Sequence, residues 1–397
     1  MIKITIVLLI MQLNTVTGQN PLPLYLTFVS HNEEPPQDEY LNNHQFYMQN
    51  REMIVQLAQI MKIKGAMWNF QSDWNFLKAV QLYDTGSVTI NTNNKNIIKW
   101  LVEDMGFEAD PHAHETQYNY ADIAYLYTLL GVTPTRNVGG FLCYPPANYQ
   151  HWPKFENGIY GNVYPTYFWK PDNLWGGGEQ GHTNNDDRSY GIWKPQDSVN
   201  FYQHDSSKHL LNIGGGCYSD VTHINQEWDG VKKILQWRQN LSIPDTGFYT
   251  ATIFIPQSLL VPQLLPIIGN VIDSINNYVN MNQIIWSSLS NTANIWRVNY
   301  NSQPFRIDCY TQLLNTHEEN VIENEIQIYP NPTSEIIKIA THQSDYSIEL
   351  FNNLGQNIYK ENNINQINIH RFPEGFYYLV ITDKKGLQEI KKLQIIR

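Results

Sequence analysis

The chain has 397 residues, a net charge of −11 and 13% aromatic residues. Because it is acidic and carries no basic stripe, nucleic acid and anionic membrane surfaces are excluded as expected partners. Its three cysteines are too few and too far apart for a disulfide framework, so the fold is expected to rest on an apolar core. One disulfide remains compatible with export, and the sequence leaves its pair open.

The first 18 residues have the pattern of a secretory signal peptide. Lys3 precedes the apolar run Ile4–Met11, and Val16 and Gly18 occupy the small-residue positions of a cleavage site. The run is shorter than the roughly 20 apolar residues that span a bilayer, and no later segment comes close. The sequence therefore predicts a signal peptide over residues 1–18 and a mature protein without a transmembrane segment.

Residues 20–309 form a body in which strand-like and helix-like segments alternate. Short apolar runs that close on polar residues are predicted as strands at Leu24–Val29, Gly65–Phe70, Phe107–Ala109, Val138–Leu142, His209–Ile213, Tyr249–Ile255 and Ile284–Ser287. Helical periodicity is found at His44–Met61, Trp74–Leu82, Asn96–Met105, Asn119–Leu130, Gln263–Tyr278 and Asn291–Trp296. This alternation predicts an α/β fold with a parallel sheet, specifically a (β/α) barrel of about seven strands that is closed or incomplete.

Polar residues that could carry chemistry follow the predicted strands. In (β/α) barrels the active site lies at the carboxyl ends of the strands. The third predicted strand runs into Asp110–Glu115, where His112 and His114 project to the same side because side chains alternate along an extended segment. His31 and Glu33 follow the first predicted strand and are therefore expected at the same end of the sheet.

This set of side chains predicts a site for a divalent metal, with zinc as the first choice. Imidazole nitrogens and carboxylate oxygens are donors that zinc takes in proteins. The predicted metal ligands are His31, His112 and His114, and the candidate catalytic groups are Glu33, Asp110, Glu115 and His182. The alternative is a pair of hydrogen-bonded histidines in a polar loop that binds no metal.

Residues 145–203 interrupt the alternation with a long segment rich in glycine, proline, asparagine and aromatic residues. A loop of this length inside a compact domain is usually functional, and its aromatic content disfavours disorder. Its polar cluster Gly178–Arg188 contains His182, a candidate acid, base or ligand. We expect this insertion to act as a substrate-binding lid over the strand ends, whereas Asp186–Arg188 is as easily explained as a loop salt bridge.

Aromatic side chains are frequent in and beside this insertion, namely Tyr144, Tyr149, Trp152, Tyr160, Tyr164, Tyr167, Phe168, Trp169 and Trp175. Most of them are expected to pack in the core and between loops. Flat aromatic faces near amide side chains also suit sugar rings, which present C–H faces and hydroxyl groups. The composition therefore favours a carbohydrate ligand.

From Tyr329 the sequence changes to short strand-like runs separated by turns. The characteristic segments are Tyr329–Pro332, the turn Asn352–Gly355, the strand Gly375–Tyr377 and the basic end Lys391–Arg397. In this order they closely resemble the type IX secretion C-terminal sorting domain. The resemblance covers residues 326–397 and implies a small all-β sandwich that the type IX machinery recognises and delivers to the cell surface or beyond. Residues 310–325 are predicted to be a linker.

The body has a looser resemblance to the polysaccharide-deacetylase-like members of the glycoside hydrolase/deacetylase barrel superfamily. It is carried by the strand end Ser30–Glu33, the motif Asp110–Glu115 and the late strand Ile285–Ser287. The resemblance implies an incomplete (β/α) barrel and a metal-centred site. The family's Thr-Phe-Asp-Asp-Gly is here Thr-Phe-Val-Ser-His, and its His-x-x-x-His is here His112-x-His114, so the family's base and metal-binding aspartates are not carried over.

Three functions are compatible with these features. The first is a surface-directed, metal-dependent hydrolase of carbohydrate, of the deacetylase type. The second is a metal-independent glycosidase that uses two carboxylates, such as Glu33 with Glu115 or Asp186. The third is a glycan-binding surface protein without catalysis. Metal content of the purified protein separates the first hypothesis from the other two.

Overall fold

The computed structural model describes residues 22–33, 39–113, 117–139, 152–176, 187–221, 228–240, 242–244, 246–257, 260–309, 327–340, 345–352, 356–384 and 388–396. The chain divides into two compact units, Met1–Leu314 and Asn315–Arg397. Each unit buries apolar side chains of its own. The predicted signal peptide and the predicted linker over 310–325 lie outside the described residues.

The first unit contains helices and strands in alternation. In chain order its strands are β1 (Leu24–Asn32), β2 (Trp68–Ser72), β3 (Glu108–Pro111), β4 (Asn137–Val138), β5 (Ile159–Tyr160), β6 (Phe168–Trp169), β7 (Asn173–Gly176), β8 (Ser189–Trp193), β9 (Leu211–Gly215), β10 (Tyr249–Pro256), β11 (Ile284–Trp286) and β12 (Phe305–Asp308). Its α-helices are α1 (Glu39–Asn42), α2 (His44–Lys64), α3 (Trp74–Tyr83), α4 (Ile97–Glu103), α5 (Tyr120–Leu129), α6 (Trp152–Asn157), α7 (Asp229–Gln239), α8 (Leu264–Asn280) and α9 (Leu289–Asn299), with a 3₁₀-helix at Gly86–Thr92.

The predicted parallel strands form two sheets. One has the order β10-β1-β2-β3, all parallel, and β11 pairs with the beginning of β1. The other has the order β12-β8-β9-β7-β4. In it, β4, β7 and β9 are parallel to one another, and β8 runs antiparallel to both of its neighbours, β9 and β12. Single backbone bridges connect the sheets, between His112 and Gly139 and between Asp220 and Phe254. The predicted α/β class with parallel strands is confirmed, and a closed barrel stays a prediction.

Helix boundaries follow local capping chemistry. Helix α2 begins after Asn43, whose side chain accepts a hydrogen bond from the backbone N–H of Phe46, and ends where Gly65 adopts a φ of 75°. Helix α5 begins with a capping box, in which Asn119 and Asp122 each bond the other's backbone. Its buried face packs against the strands, so α5 has a fixed position beside β3.

The second unit is all-β, as predicted for the tail. Its strands are β13 (Gln327–Tyr329), β14 (Ile336–Ala340), β15 (Tyr346–Phe351), β16 (Asn357–Asn362), β17 (Gln366–Asn368), β18 (Gly375–Asp383) and β19 (Gln388–Ile395). They form two antiparallel sheets, β13-β14-β17 and β16-β15-β18-β19. The two sheets share one buried cluster that includes Ile337, Ile348, Leu379 and Leu393.

Cysteine pairing is resolved by the structure. Cys217, which follows β9, forms a disulfide with Cys309, which follows β12. This bond ties the end of the first unit's described chain back to the second sheet. Within the described ranges, no helix has the length and apolar character needed to cross a membrane.

Candidate metal centre

Three side chains converge at the carboxyl ends of β1 and β3. His31 is the penultimate residue of β1, Glu33 follows that strand, and His112 follows β3. Each offers one donor atom, and these atoms all lie within 4.8 Å of one another. The His112 Nε2 and Glu33 Oε2 atoms are 3.1 Å apart. The imidazole rings of His31 and His112 have their centroids 3.9 Å apart.

Strand pairing explains how residues distant in sequence meet here. β1 pairs with β2 in parallel register up to Asn32, and β2 pairs with β3 up to Pro111. The backbone N–H of His112 then donates to the carbonyl of Ser72 over 2.9 Å, which extends the pairing one residue further. Parallel strands end at one edge, so the polar residues after β1 and β3 become neighbours.

Burial differs among the three donors. His31 and His112 are 6% and 1% exposed, whereas the Glu33 side chain is 36% exposed. The His31 ring packs edge-on against Phe254 and Trp175, with centroids 4.8 Å and 5.3 Å away. These aromatic contacts hold the imidazole in place, and the group opens toward solvent on the side of Glu33.

Two buried tyrosines of α5 fix the backbone on either side of His112. The Tyr127 hydroxyl donates to the carbonyl of Asp110 over 2.8 Å. The Tyr120 hydroxyl is 2.8 Å from the carbonyls of both Ala113 and Gly139. Burial raises the pKa of Tyr127 well above its ordinary value, so its phenol remains a donor. The helix therefore sets the position of the strand end that carries His112.

Asp110 lies two residues before His112 in a buried polar layer. Its carboxylate accepts hydrogen bonds from Thr135 Oγ1 at 2.6 Å and from the side-chain amides of Asn69 and Asn137 at 2.8 Å each. Burial, followed by the neighbouring charge of Glu108, raises the pKa of Asp110 to about 6. These bonds connect β2 and the segment around β4 to β3, next to the group formed by His31, Glu33 and His112.

Glu108 anchors the other side of this layer. Its carboxylate accepts the backbone N–H groups of Leu289 at 3.0 Å and Ser290 at 3.1 Å, at the first turn of α9. A carboxylate is stabilised there by the unsatisfied N–H groups and dipole of the helix. Glu108 therefore contributes to the scaffold and joins β3 to α9.

The predicted site residues have different outcomes. His31, Glu33 and His112 are brought together, and Asp110 is placed in the layer below them. His114, Glu115 and His182 lie outside the described residues, as do residues 140–151 and 177–186 of the predicted lid and its surroundings. The described remainder of the insertion forms β5 to β8 and α6.

Sequence reasoning missed two kinds of residue near the centre. Tyr120 and Tyr127 were part of a predicted amphipathic helix, but their hydroxyl groups bond the strand ends rather than solvent. Gln71 is fully buried at the end of β2, and its Nε2 donates to Asn69 Oδ1 over 2.8 Å. Its position directly after an apolar run was the signal that could have singled it out.

Comparison with protein families identifies the tail. Residues 327–396 match the family model described as secretion system C-terminal sorting domain. The chain is therefore exported by the type IX system to the cell surface or the extracellular space, and the type IX machinery recognises its C-terminal unit. No curated protein matches the sequence.

Solved structures share parts of the fold at low identity. A 4-alpha-glucanotransferase from Thermococcus litoralis has 8% identity and a TM-score of 0.41 over 68% of this chain, which spans only 40% of that enzyme. A proposed polysaccharide deacetylase from Mycobacterium smegmatis has 12% identity and a TM-score of 0.38, over 72% of this chain and 94% of that one. A proposed glycoside hydrolase/deacetylase from Parabacteroides distasonis has 10% identity and a TM-score of 0.42, over 94% and 86%. With such values, activity has to be argued from the residues of this chain.

Proposed function

We propose that this protein is a surface-delivered, zinc-dependent hydrolase that removes acyl groups from carbohydrate. The observation that carries the proposal is the convergence of His31, Glu33 and His112, whose donor atoms lie within 4.8 Å of one another. Export to the surface places the protein where extracellular glycans are available.

The donor set fits zinc. Two imidazole nitrogens and one carboxylate oxygen are a ligand set found in catalytic zinc sites, where the fourth position stays open for substrate or water. Donors around one zinc ion are each about 2.0–2.2 Å from it, so the three side chains need only small rotations to share an ion. A zinc ion bound there would supply Lewis-acid polarisation of an acyl carbonyl.

The protein's own residues have distinct roles in this proposal. His31 and His112, which are buried, and Glu33, which is partly exposed, would hold the metal. Asp110 has no exposed surface and accepts three side-chain hydrogen bonds, so we assign it to positioning of β3 rather than to proton transfer. Glu115 and His182 remain the candidates for moving the proton.

Aromatic side chains support carbohydrate as the ligand. Trp175 and Phe254 border His31, and Trp74 stacks on Tyr118 with ring centroids 3.9 Å apart. Trp74 and Tyr118 are only partly buried, and each follows the end of a strand, β2 or β3. Partly exposed aromatic faces at the carboxyl ends of strands are suited to the C–H faces of sugar rings.

We also propose that the two sheets of the first unit belong to one (β/α) barrel of the incomplete type. The bridges His112–Gly139 and Asp220–Phe254 support this arrangement because they join β3 to the end of β4 and the chain after β9 to β10. In such a barrel the three metal donors would lie at the mouth, where active sites of this architecture are found.

Zinc stoichiometry of the full chain tests the proposal. We expect about one zinc per wild-type chain, and more than a tenfold loss of zinc affinity in His31→Ala, Glu33→Ala and His112→Ala. His209→Ala is the matched control, because His209 Nε2 also contacts a carboxylate, Asp172 Oδ1 at 2.6 Å, outside this group. In these variants, the rate of acetate release from acetylated oligosaccharides should fall in parallel with the amount of bound zinc. Unchanged zinc binding in all three variants would exclude this centre.

A further inference from the structure

Gln71 lies on the same face of the sheet as the metal-binding group. In the parallel register its Cα is the partner of His31 on one side and of Asp110 on the other. Paired residues of adjacent strands project to the same face. Gln71 therefore extends beside His31, one strand away from each of the strands that carry the two histidines, and it has no exposed surface.

The orientation of the Gln71 amide follows from its neighbours. Asn69 Nδ2 donates to Asp110 over 2.8 Å, so Asn69 Oδ1 is left as an acceptor and receives Gln71 Nε2 at 2.8 Å. This assignment leaves the carbonyl oxygen, Oε1, as the free end of the amide. Because both bonds are internal to the buried layer, the amide has one preferred orientation.

The Gln71 Oε1 atom lies against Gly139, the residue directly after β4. A Cβ atom built on Gly139 would lie 1.7 Å from Gln71 Oε1, so only glycine leaves room for the amide oxygen there. Gly139 forms the backbone bridge with His112. The oxygen therefore fills the space that Gly139 leaves open, against the residue whose backbone pairs with His112.

No residue in the described parts of the chain donates a hydrogen bond to this oxygen. A buried acceptor that lacks a donor is unfavourable, and such groups are rare unless a bound molecule completes them. A cationic donor is disfavoured beside two imidazoles that would hold a metal ion. The suitable donor is therefore uncharged, which leaves an amide N–H or a hydroxyl group.

We propose that Gln71 is a substrate-binding residue whose Oε1 accepts a hydrogen bond from an uncharged donor of the sugar, next to the centre formed by His31, Glu33 and His112. The donor is the N–H of an acylamino group or a hydroxyl beside the acyl group. The proposal rests on the proposed function for the exclusion of a cationic donor and for the identity of the ligand as an acylated sugar.

Binding to the full chain tests this role without relying on turnover. The probes are an N-acetylated glucosamine trisaccharide and an O-acetylated xylotriose, titrated calorimetrically with zinc-loaded protein. Gln71→Met removes the acceptor with little change in side-chain volume, and we expect its dissociation constant to rise about tenfold with zinc stoichiometry unchanged. In turnover, KM should rise while kcat changes less. Loss confined to the N-acetylated probe identifies the amide N–H, and equal loss for both identifies a hydroxyl.

Gln257→Met is the matched control, because Gln257 is also buried, lies just beyond β10, and has an amide that no described residue bonds. Gln257 makes no bond to Asn69, which is the contact that orients the Gln71 amide. The control should bind both probes like the wild type. Gly139→Ala provides a second test if Gln71→Met does not fold, since the added methyl group displaces Oε1 and should cause the same loss.

Wild-type affinity for both probes in folded Gln71→Met and Gly139→Ala would overturn the proposal, and so would a parallel loss of zinc in both. A wild-type protein that binds the sugars but no zinc would instead contradict the proposed function and leave the role of Gln71 intact.

Discussion

At the scale of single residues, Asp187 is a buried carboxylate outside the candidate metal centre. It is 1% exposed, and it accepts the backbone N–H of Ser189 at 3.0 Å and the side-chain amide of Asn212 at 2.9 Å. Burial is the largest influence and raises its pKa from 3.8 to about 6, against the opposing effect of these hydrogen bonds. Compared with a solvent-exposed aspartate, the buried Asp187 therefore keeps its proton to a higher pH.

The pKa of Asp187 predicts a pH-dependent loss of stability. Because the folded-state pKa is raised, the stabilisation is fully present below pH 3.8 and is lost as pH rises through about 6. We expect Asp187→Asn to be more stable than the wild type at pH 8, by roughly 2–3 kcal/mol at most, with the difference vanishing near pH 4. The new amide can donate to Asn212 Oδ1, which no described residue bonds. Chemical denaturation across pH 4–8 measures the difference.

Asp197→Asn is the control with the opposite sign. Hydrogen bonds from Asn200 lower the pKa of Asp197, so its stabilisation is present at neutral pH and is lost as pH falls. That variant should be less stable than the wild type at pH 8. If Asp187→Asn is also less stable than the wild type at pH 8, burial is not the dominant influence on the pKa of Asp187.

The sequence predicted the meeting of His31, Glu33 and His112 better than it predicted their surroundings. His31, Glu33 and His112 were predictable because each follows an apolar run, and the ends of parallel strands meet at one edge. The burial of Asp110 and Asp187 was not predictable, because their partners Thr135, Asn137 and Asn212 come from other strands and loops. Sequence spacing within one motif carries no information about such contacts.

At the scale of elements, α5 links the candidate metal centre to the outer layer of the fold. The Tyr120 hydroxyl lies 2.8 Å from the carbonyl oxygens of Ala113 and Gly139, which follow β3 and β4. One phenol therefore holds together two strand ends that belong to different sheets. Removing it leaves two buried carbonyl groups without this donor.

We predict that Tyr120→Phe lowers the free energy of unfolding by about 1–3 kcal/mol and also weakens zinc binding, because the backbone after His112 is no longer held. Denaturant titration and competitive zinc titration measure the two effects. The matched control is Tyr190→Phe, which removes a similarly buried hydroxyl that donates to the Gly230 carbonyl over 2.7 Å, away from the centre. It should cost similar stability and leave zinc affinity unchanged. Equal zinc affinity in both variants would contradict the linking role of α5.

Regular elements were predicted more successfully than irregular ones. The strands β1 and β10 were recognised because they are buried and read largely as apolar runs. The strands β2 and β3 mix apolar and polar residues, and they were recognised from the short runs Gly65–Phe70 and Phe107–Ala109. The antiparallel strands β8 and β12 were missed, since β8 lies in the glycine- and aromatic-rich insertion and β12 is four residues long. Helix α7 was also missed, and its N-cap, Trp228, makes no side-chain capping bond.

At the scale of the whole molecule, the two units have separate cores and separate sequence signatures. The tail was recognised from several short motifs in a fixed order, and the match over residues 327–396 confirms it. The body offered no comparable signature, so its fold class could be predicted from alternating periodicity, whereas its activity has to be inferred from the geometry of the centre.

This separation predicts that delivery and folding can be uncoupled. A chain that ends at Leu314 lacks the whole second unit but keeps the compact first unit and its core. We expect it to bind zinc with wild-type stoichiometry, because all three donors lie in the first unit, and to remain inside the outer membrane. Fractionation of the cells with immunoblotting measures the location, and zinc content of the retained protein measures folding.

Conversely, residues 315–397 fused to an unrelated exported protein should carry it outward. Normal surface delivery of the truncated chain would show that the sorting information lies in the body, and retention of the fusion would show that the tail alone is insufficient.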